Sequence, residues 1–227
     1  MQAGTQALKG GRVAVRKMVF LAMLATIAFV VMLVGRVPVV MFLKYDPKDV
    51  IIAFGGLLFG PMSAFIVSLT VSLVEMFTVS DTGPIGLMMN ILSTCAFACT
   101  ASFIYKRDRS MKGAVTGLVS GVILMVAVML LWNYLIAPFY MHVSREEVAA
   151  LLIPAFLPFN VIKGGLNATL TLLIYKPLVK ALRGSGLLPA REGEQDAPRG
   201  ASAGVMIFSA VIFASCVLVI LVMRGVI

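Results

Sequence analysis

Lys163 sits in an otherwise uncharged, membrane-length apolar segment, with Asn160 one turn before it and Asn167 one turn after. The i, i+3, i+7 spacing places all three on one helical face, where amides that both donate and accept flank a cation that only donates. Charge inside a membrane span is costly enough to mark a ligand or ion path. Glu75 adds a carboxylate able to accept from hydroxyls, Asn133 adds a further amide, and Gly164 and Gly165 leave room for a close approach to the helix. A plainer reading is also open: Glu75 and Lys163 neutralise each other as a buried ion pair, and the asparagines bridge helices.

The elements that must position these residues are membrane helices. With 60% hydrophobic residues and a mean hydropathy of +1.02, the chain carries more apolar surface than a soluble domain of 227 residues can bury. Long uncharged runs recur, whereas a barrel would show short alternating segments, so the fold class is an all-α integral membrane protein. Cys95, Cys99 and Cys216 lie in apolar runs with no metal-ligand spacing and read as packing residues. His142 is the single histidine. No carboxylate pair, nucleophile with its base, or phosphate-binding loop is present, so the chain reads neither as an enzyme nor as an ATPase by itself.

The first span is predicted over Met18 to Gly35, after a basic N-terminal segment, residues 1–17. A second helix should start with Asp46 as N-cap and Pro47 at its first position, and stop near Gly60-Pro61, too short to cross. The preceding chain, Val37 to Tyr45, must then dip into the bundle as irregular backbone, tolerated only against protein or a water-filled cavity. Further spans are expected at Met62–Ser80, Ile85–Tyr105, Gly113–Ala137 with Pro138 as the stop, and Ala155–Tyr175. Ser144-Arg145-Glu146-Glu147 has capping-box spacing for a short surface helix. A polar linker covers Lys176 to Gly200, its boundary with the membrane domain (residues 18–182) set at 183–200, and a seventh span occupies residues 201–227.

Most of the 19 basic residues fall in the N-terminal stretch, the loop from Lys106 to Lys112, and the linker before the last span. The positive-inside rule therefore predicts a cytoplasmic N-terminus and an extracellular C-terminus. The net charge of +9 is topological, not the basic face of a nucleic-acid binder. In this orientation Glu75, Asn133, Asn160, Lys163 and the Phe42 to Asp46 loop gather toward the outer side, which predicts a polar pocket that opens outward.

Several stretches together resemble the riboflavin-specific S components of energy-coupling factor (ECF) transporters. They are Phe42-Leu43-Lys44-Tyr45-Asp46-Pro47-Lys48-Asp49, Glu75, Gly83-Pro84-Ile85-Gly86 to Asn90, Trp132-Asn133-Tyr134, and Pro158-Phe159-Asn160-Val161-Ile162-Lys163. The resemblance runs from about Val19 to Leu182. It implies a six-helix membrane subunit that takes riboflavin as transported ligand, with no cofactor, from outside a prokaryotic cell membrane. A transmembrane T component and two cytoplasmic ABC ATPases would drive release inward. By the same resemblance, Asn133, Asn160 and Lys163 would hold the polar edge of the isoalloxazine ring. Glu75 would meet the ribityl chain, and Phe42, Leu43, Lys44, Tyr45 and Asp46 would close over the ligand.

Riboflavin's chemistry suits these residues: an N–H between two carbonyls for the amides and lysine, and a hydroxylated chain for the carboxylate. Phe42, Tyr45, Trp132, Tyr134 and Phe159 are candidates to stack on the ring. Glu75 should also disfavour a phosphate placed near it, favouring riboflavin over its monophosphate. For coupling, S components usually present small residues at i, i+4 on helix one; here Ala22, Ala25 and Thr26 give Ala22-x-x-x-Thr26 without a strict alanine pair. The seventh span is an addition to the six-helix pattern. Other readings are an S component for another vitamin, an ion-coupled secondary carrier using Glu75 and Lys163, and a structural membrane subunit.

Overall fold

The computed structural model describes residues 2–40, 43–80, 82–184 and 203–223. Helices dominate because hydrocarbon cannot satisfy backbone N–H and C=O groups, so each apolar run must pair them internally. In chain order these are α1 (Gln2–Gly35), α2 (Lys48–Phe59), α3 (Pro61–Thr78), α4 (Gly83–Thr94), α5 (Thr100–Arg107), α6 (Met111–Met141), α7 (Arg145–Leu151), α8 (Leu157–Gly184) and α9 (Ala203–Met223). Single π-helical turns, Cys95–Cys99 and Leu152–Phe156, join α4 to α5 and α7 to α8. Among the described residues, six helical stretches are long and apolar enough to cross a membrane, and α2 is not one of them.

Several boundaries differ from the expectations. Helix α1 runs unbroken from Gln2, so the basic N-terminal stretch is part of the first helix. Pro138 lies inside α6 and Pro177 inside α8. Each forfeits one backbone hydrogen bond, at a typical cost of about 3 kcal/mol, without ending a helix whose neighbours hold it on both sides. Helix α8 therefore extends to Gly184, into the stretch assigned to the linker, while linker residues 185–202 lie outside the described residues. Ser144 does cap α7, its Oγ accepting from the Glu147 N–H.

The segment before α2 is more ordered than irregular backbone. Strands β1 (Val37–Val40) and β2 (Leu43–Tyr45) form an antiparallel hairpin, with Val37 opposite Tyr45 and Val40 opposite Leu43. Val37, Val39 and Val40 favour extended backbone, and burial of Leu43 and Tyr45 around exposed Lys44 follows the period of two. The all-α class thus carries one small hairpin. Asp46 does not cap α2; Pro47 holds the cap position without a side-chain bond, and Asp46 turns inward instead.

Ala25 and Ala28 of α1, Ile52 and Ala53 of α2, Ala64, Val67 and Val71 of α3, Phe97, and Leu118 and Met125 of α6 form the main core. Its helices come close because small residues line the contacts. A Cβ at Gly121 would lie 2.5 Å from the Phe97 carbonyl oxygen, and one at Gly117 would lie 2.7 Å from that of Ala101. Gly164 likewise faces Val122 of α6, and Gly165 faces Cys216 of α9. These two glycines on α8 serve helix packing, not ligand approach as expected. Helix α9 adds Phe213, Cys216, Val217 and Ile220 to a second core shared with Val39, Leu43, Tyr45, Phe159, Ile162 and Leu166.

The obstacle at Gly121 is backbone and cannot swing aside. Gly121→Val is expected to destabilise the protein by about 1–3 kcal/mol, seen as a lower midpoint of thermal unfolding in detergent, whereas Val119→Ala on the exposed side of α6 should leave the midpoint nearly unchanged.

Candidate functional site

At the end of the bundle that carries the hairpin, a cavity opens between the hairpin, α3, α4, α6 and α8. It encloses about 940 Å³ of space between atoms, its open mouth included. Leu43, Lys44, Asp46, Glu75, Asn133, Asn160 and Lys163 all line it, so residues separated by up to 120 positions in the chain converge as expected. Phe42 lies outside the described residues. Arg36, Asn90, Met89, Met129, Tyr140 and Phe159 complete much of the wall.

Each amide is fixed by its own helix. The Asn160 NH2 donates to the Phe156 carbonyl at 2.7 Å and the Asn133 NH2 to that of Met129 at 2.8 Å. Asn133 Oδ1 also accepts from the Tyr140 hydroxyl at 3.3 Å. Phe156 closes the π-helical turn ahead of α8, where the i to i+4 ladder is interrupted, which is where a side-chain donor is most useful.

The carboxylates are arranged differently from the sequence expectation. Glu75 is not free to meet a ligand: Oε1 accepts from Arg36, and Oε2 accepts from Lys48 and, at 3.0 Å, from Asn90. Arg36 and Lys48 thus offset the charge through which Glu75 was expected to disfavour a phosphate. Nor do Glu75 and Lys163 pair with each other, since Lys163 Nζ lies 3.3 Å from Asp49 Oδ2. Asp49, fully buried, also accepts from Thr94 at 2.6 Å and from Asn167 at 3.2 Å. Asp46 lies 3.7 Å from Arg36 and 3.9 Å from Lys48, and its Oδ1 is buried without a hydrogen-bond partner. Burial opposes its charge, yet Lys48, Lys163 and Arg36 together hold the Asp46 carboxyl below the usual carboxylate range, so it stays ionised.

Of the expected aromatics among the described residues, only Phe159 lines the cavity. Tyr45 points beneath it, donating to Asn167 Oδ1 at 3.1 Å; burial and the nearby Asp49 and Asp46 push its phenol up, so it remains a donor. Trp132 packs against the main core, and Tyr134 is exposed with the Arg145 guanidinium 5.7 Å from its ring centre. Arg36 and Tyr140 were not singled out from the sequence, and Lys48, Asp49 and Asn90 entered only within the stretches that carry the resemblance. The charge-dense Asp46-Pro47-Lys48-Asp49 run at the head of an apolar helix was the signal available for Lys48 and Asp49.

Lys48 is wholly buried against Glu75, so removing it strands a carboxylate. Lys48→Met is expected to cost roughly 3–5 kcal/mol of stability, and Lys48→Met combined with Glu75→Gln to recover part of the loss, both read as unfolding midpoints.

Residues 16–175 match the family model for the substrate-specific component of ECF transporters. The chain is 31% identical over 178 residues to the riboflavin transporter RibU of Staphylococcus aureus, covering 74% of this chain and 93% of that protein. It is 29% identical to the riboflavin transporter FmnP of Bacillus subtilis, covering 74% and 96% of the two chains. A solved S component of a bacterial ECF transporter superposes with a TM-score of 0.63 at 30% identity, over 74% of this chain and 97% of that one. Helix α9 lies beyond the matched residues. This chain belongs to the family of ECF transporter substrate-specific components, and is a multi-pass membrane subunit for transport and not an enzyme.

Proposed function

We propose that the chain captures riboflavin in the hairpin-end cavity and passes it to a transmembrane T component driven by two cytoplasmic ABC ATPases. The observation that carries this reading is the convergence of Asn133, Asn160 and Lys163 on one cavity wall beside Phe159. With its NH2 tied to Phe156, Asn160 offers its carbonyl oxygen to a ring N–H, and Lys163 donates to a ring carbonyl. Phe159 and Tyr140 give the ring apolar surface. Asp46 takes the role first assigned to Glu75: it lines the wall, and its Oδ1, buried 3.9 Å from Lys48 Nζ, makes no hydrogen bond within the protein, so the carboxylate has acceptor capacity left for the ribityl hydroxyls. Leu43 and Lys44 on the hairpin close the mouth.

Lys106 and Arg107 end α5 away from the hairpin, and Lys17 lies at the start of the apolar span of α1, Val15–Gly35, at the opposite end of that span from the hairpin. That supports a cytoplasmic N-terminus, an outward cavity and an extracellular C-terminus after α9. For coupling, Ala22 and Thr26 are exposed on one face of α1, with the Thr26 hydroxyl turned back onto the Ala22 carbonyl at 3.0 Å. Ala25, named beside them from sequence, is buried in the core and cannot meet the T component. A secondary carrier working through Glu75 and Lys163 lacks its central contact, since each is paired elsewhere.

Detergent-purified protein is expected to quench riboflavin fluorescence saturably at one ligand per chain. Lys163→Ala and Asn160→Ala should each weaken binding by roughly 1–3 kcal/mol. Failure of folded wild-type protein to bind riboflavin, with binding of another vitamin, would reassign the ligand. Ala22→Trp and Thr26→Trp should retain binding and lose ATP-driven uptake in the reconstituted complex; loss of both together would refute the separation of capture from coupling.

A further inference from the structure

Asp49 contributes no surface to the cavity and is fully buried, yet three side chains from two other helices, α4 and α8, end on it. Its Oδ2 faces Lys163 Nζ at 3.3 Å and the Asn167 NH2 at 3.2 Å, and its Oδ1 accepts from Thr94 of α4 at 2.6 Å. Asn167 in turn accepts from Tyr45 of the hairpin at 3.1 Å. The path from hairpin to lysine is thus Tyr45, Asn167, Asp49, Lys163, each member at least nine-tenths buried. A flexible lysine stem whose ammonium has one fixed carboxylate beneath it presents its remaining donors in a narrow range of directions.

Resting on the riboflavin reading, we propose that Asp49 is a positioning residue that sets the aim of Lys163 at the ligand, and that Tyr45 acts through the same carboxylate, so hairpin placement and lysine aim are set together. Asp49 itself touches no ligand. Two features of the geometry favour this over simple charge balance. Asp49 is anchored from the side opposite the lysine by Thr94, which fixes the carboxylate plane, and Asn167 spends its oxygen on Tyr45 and its NH2 on Asp49, so neither contact can shift alone. Charge balance alone would require neither link.

The test is a set of riboflavin titrations on the full-length purified protein, with thermal unfolding as the check on folding. Asp49→Asn should raise Kd roughly tenfold or more. In a Lys163→Met background the same change should add less than about twofold, because the group it positions is gone. Thr94→Val, which keeps every charge and loosens the carboxylate, is the second probe if Asp49→Asn fails to fold. It should raise Kd several-fold on the wild-type background and leave it unchanged with Lys163→Met. Tyr45→Phe should weaken binding, and its effect should vanish when combined with Asp49→Asn. Penalties that persist in full in the Lys163→Met background would overturn the inference while leaving riboflavin capture standing. Absence of riboflavin binding by folded wild-type protein would overturn that reading and this inference with it.

Discussion

Arg36, Lys48 and Lys163 are set against Asp46, Asp49 and Glu75 at one end of a bundle built to lie in hydrocarbon, and that balance constrains everything around it. Withdrawing one charge from water costs several kcal/mol even after relaxation, so each must have a partner of opposite sign within a few ångströms and hydrogen bonds for the oxygens left over. The partners come from far apart in the chain: α1 and the hairpin, the head of α2, the last turns of α3, and α8. Their mutual neutralisation is therefore also a tertiary tie. Short α2 makes sense in this light. Its polar head, Lys48 and Asp49, must stop at the depth of the cluster, while its apolar body packs among α1, α3 and α8.

The small residues of the core complement the charge cluster. Where Gly121 and Gly117 let α6 press on the π-helical turn and α5, the bundle is closed by backbone proximity and cannot breathe there without losing dispersion contacts. At the hairpin end the packing is instead polar and open. The molecule is thus rigid where helices pack through glycine and permissive where the ligand enters. Helix α9 extends the rigid part: it covers the back of α8, the helix that carries Asn160 and Lys163 on its cavity side, and it reaches the hairpin through the core that contains Val39, Leu43 and Tyr45.

The convergence of Asn133, Asn160, Lys163 and the 43–46 segment was legible in the sequence because depth in a membrane follows directly from position along a helix. Polar residues at equal depth on different helices have few places to be but together. Pairing was not legible. Nothing in the sequence distinguishes Glu75 facing Lys163 from Glu75 facing Lys48, since both cations lie at similar depth and only the rotation of α2 about its axis decides between them. The same rotation hid Asp49. Proline was over-read: Pro138 was expected to stop a helix, but it lies inside α6, as Pro177 lies inside α8, because in a bundle the flanking turns stay held by neighbours on either side of the missing bond. Gly164 and Gly165 were over-read in the opposite sense, because a glycine that admits a ligand and one that admits another helix look identical in sequence.

A transport subunit must be stable with its site empty as well as filled, and the distribution of hydrogen-bond partners here meets both demands. Were the cavity lined by groups awaiting a ligand, the empty state would carry a desolvation penalty at each one. Instead Glu75, Asn133 and Asn160 are already bonded within the protein, and among the described lining residues the buried polar atoms without a partner are Arg36 Nε, Asp46 Oδ1 and Ser93 Oγ. Asn133 and Asn160 are held within their own stretches of helix, whereas Asp46 and Ser93 carry oxygens that no hydrogen bond uses. A ligand with a rigid planar head and a flexible hydroxylated tail meets this division well, since preformed geometry favours the head and spare acceptors favour the tail. The charge cluster beneath the hairpin, Arg36, Lys48 and Lys163 against Asp46, Asp49 and Glu75, remains balanced with or without the ligand.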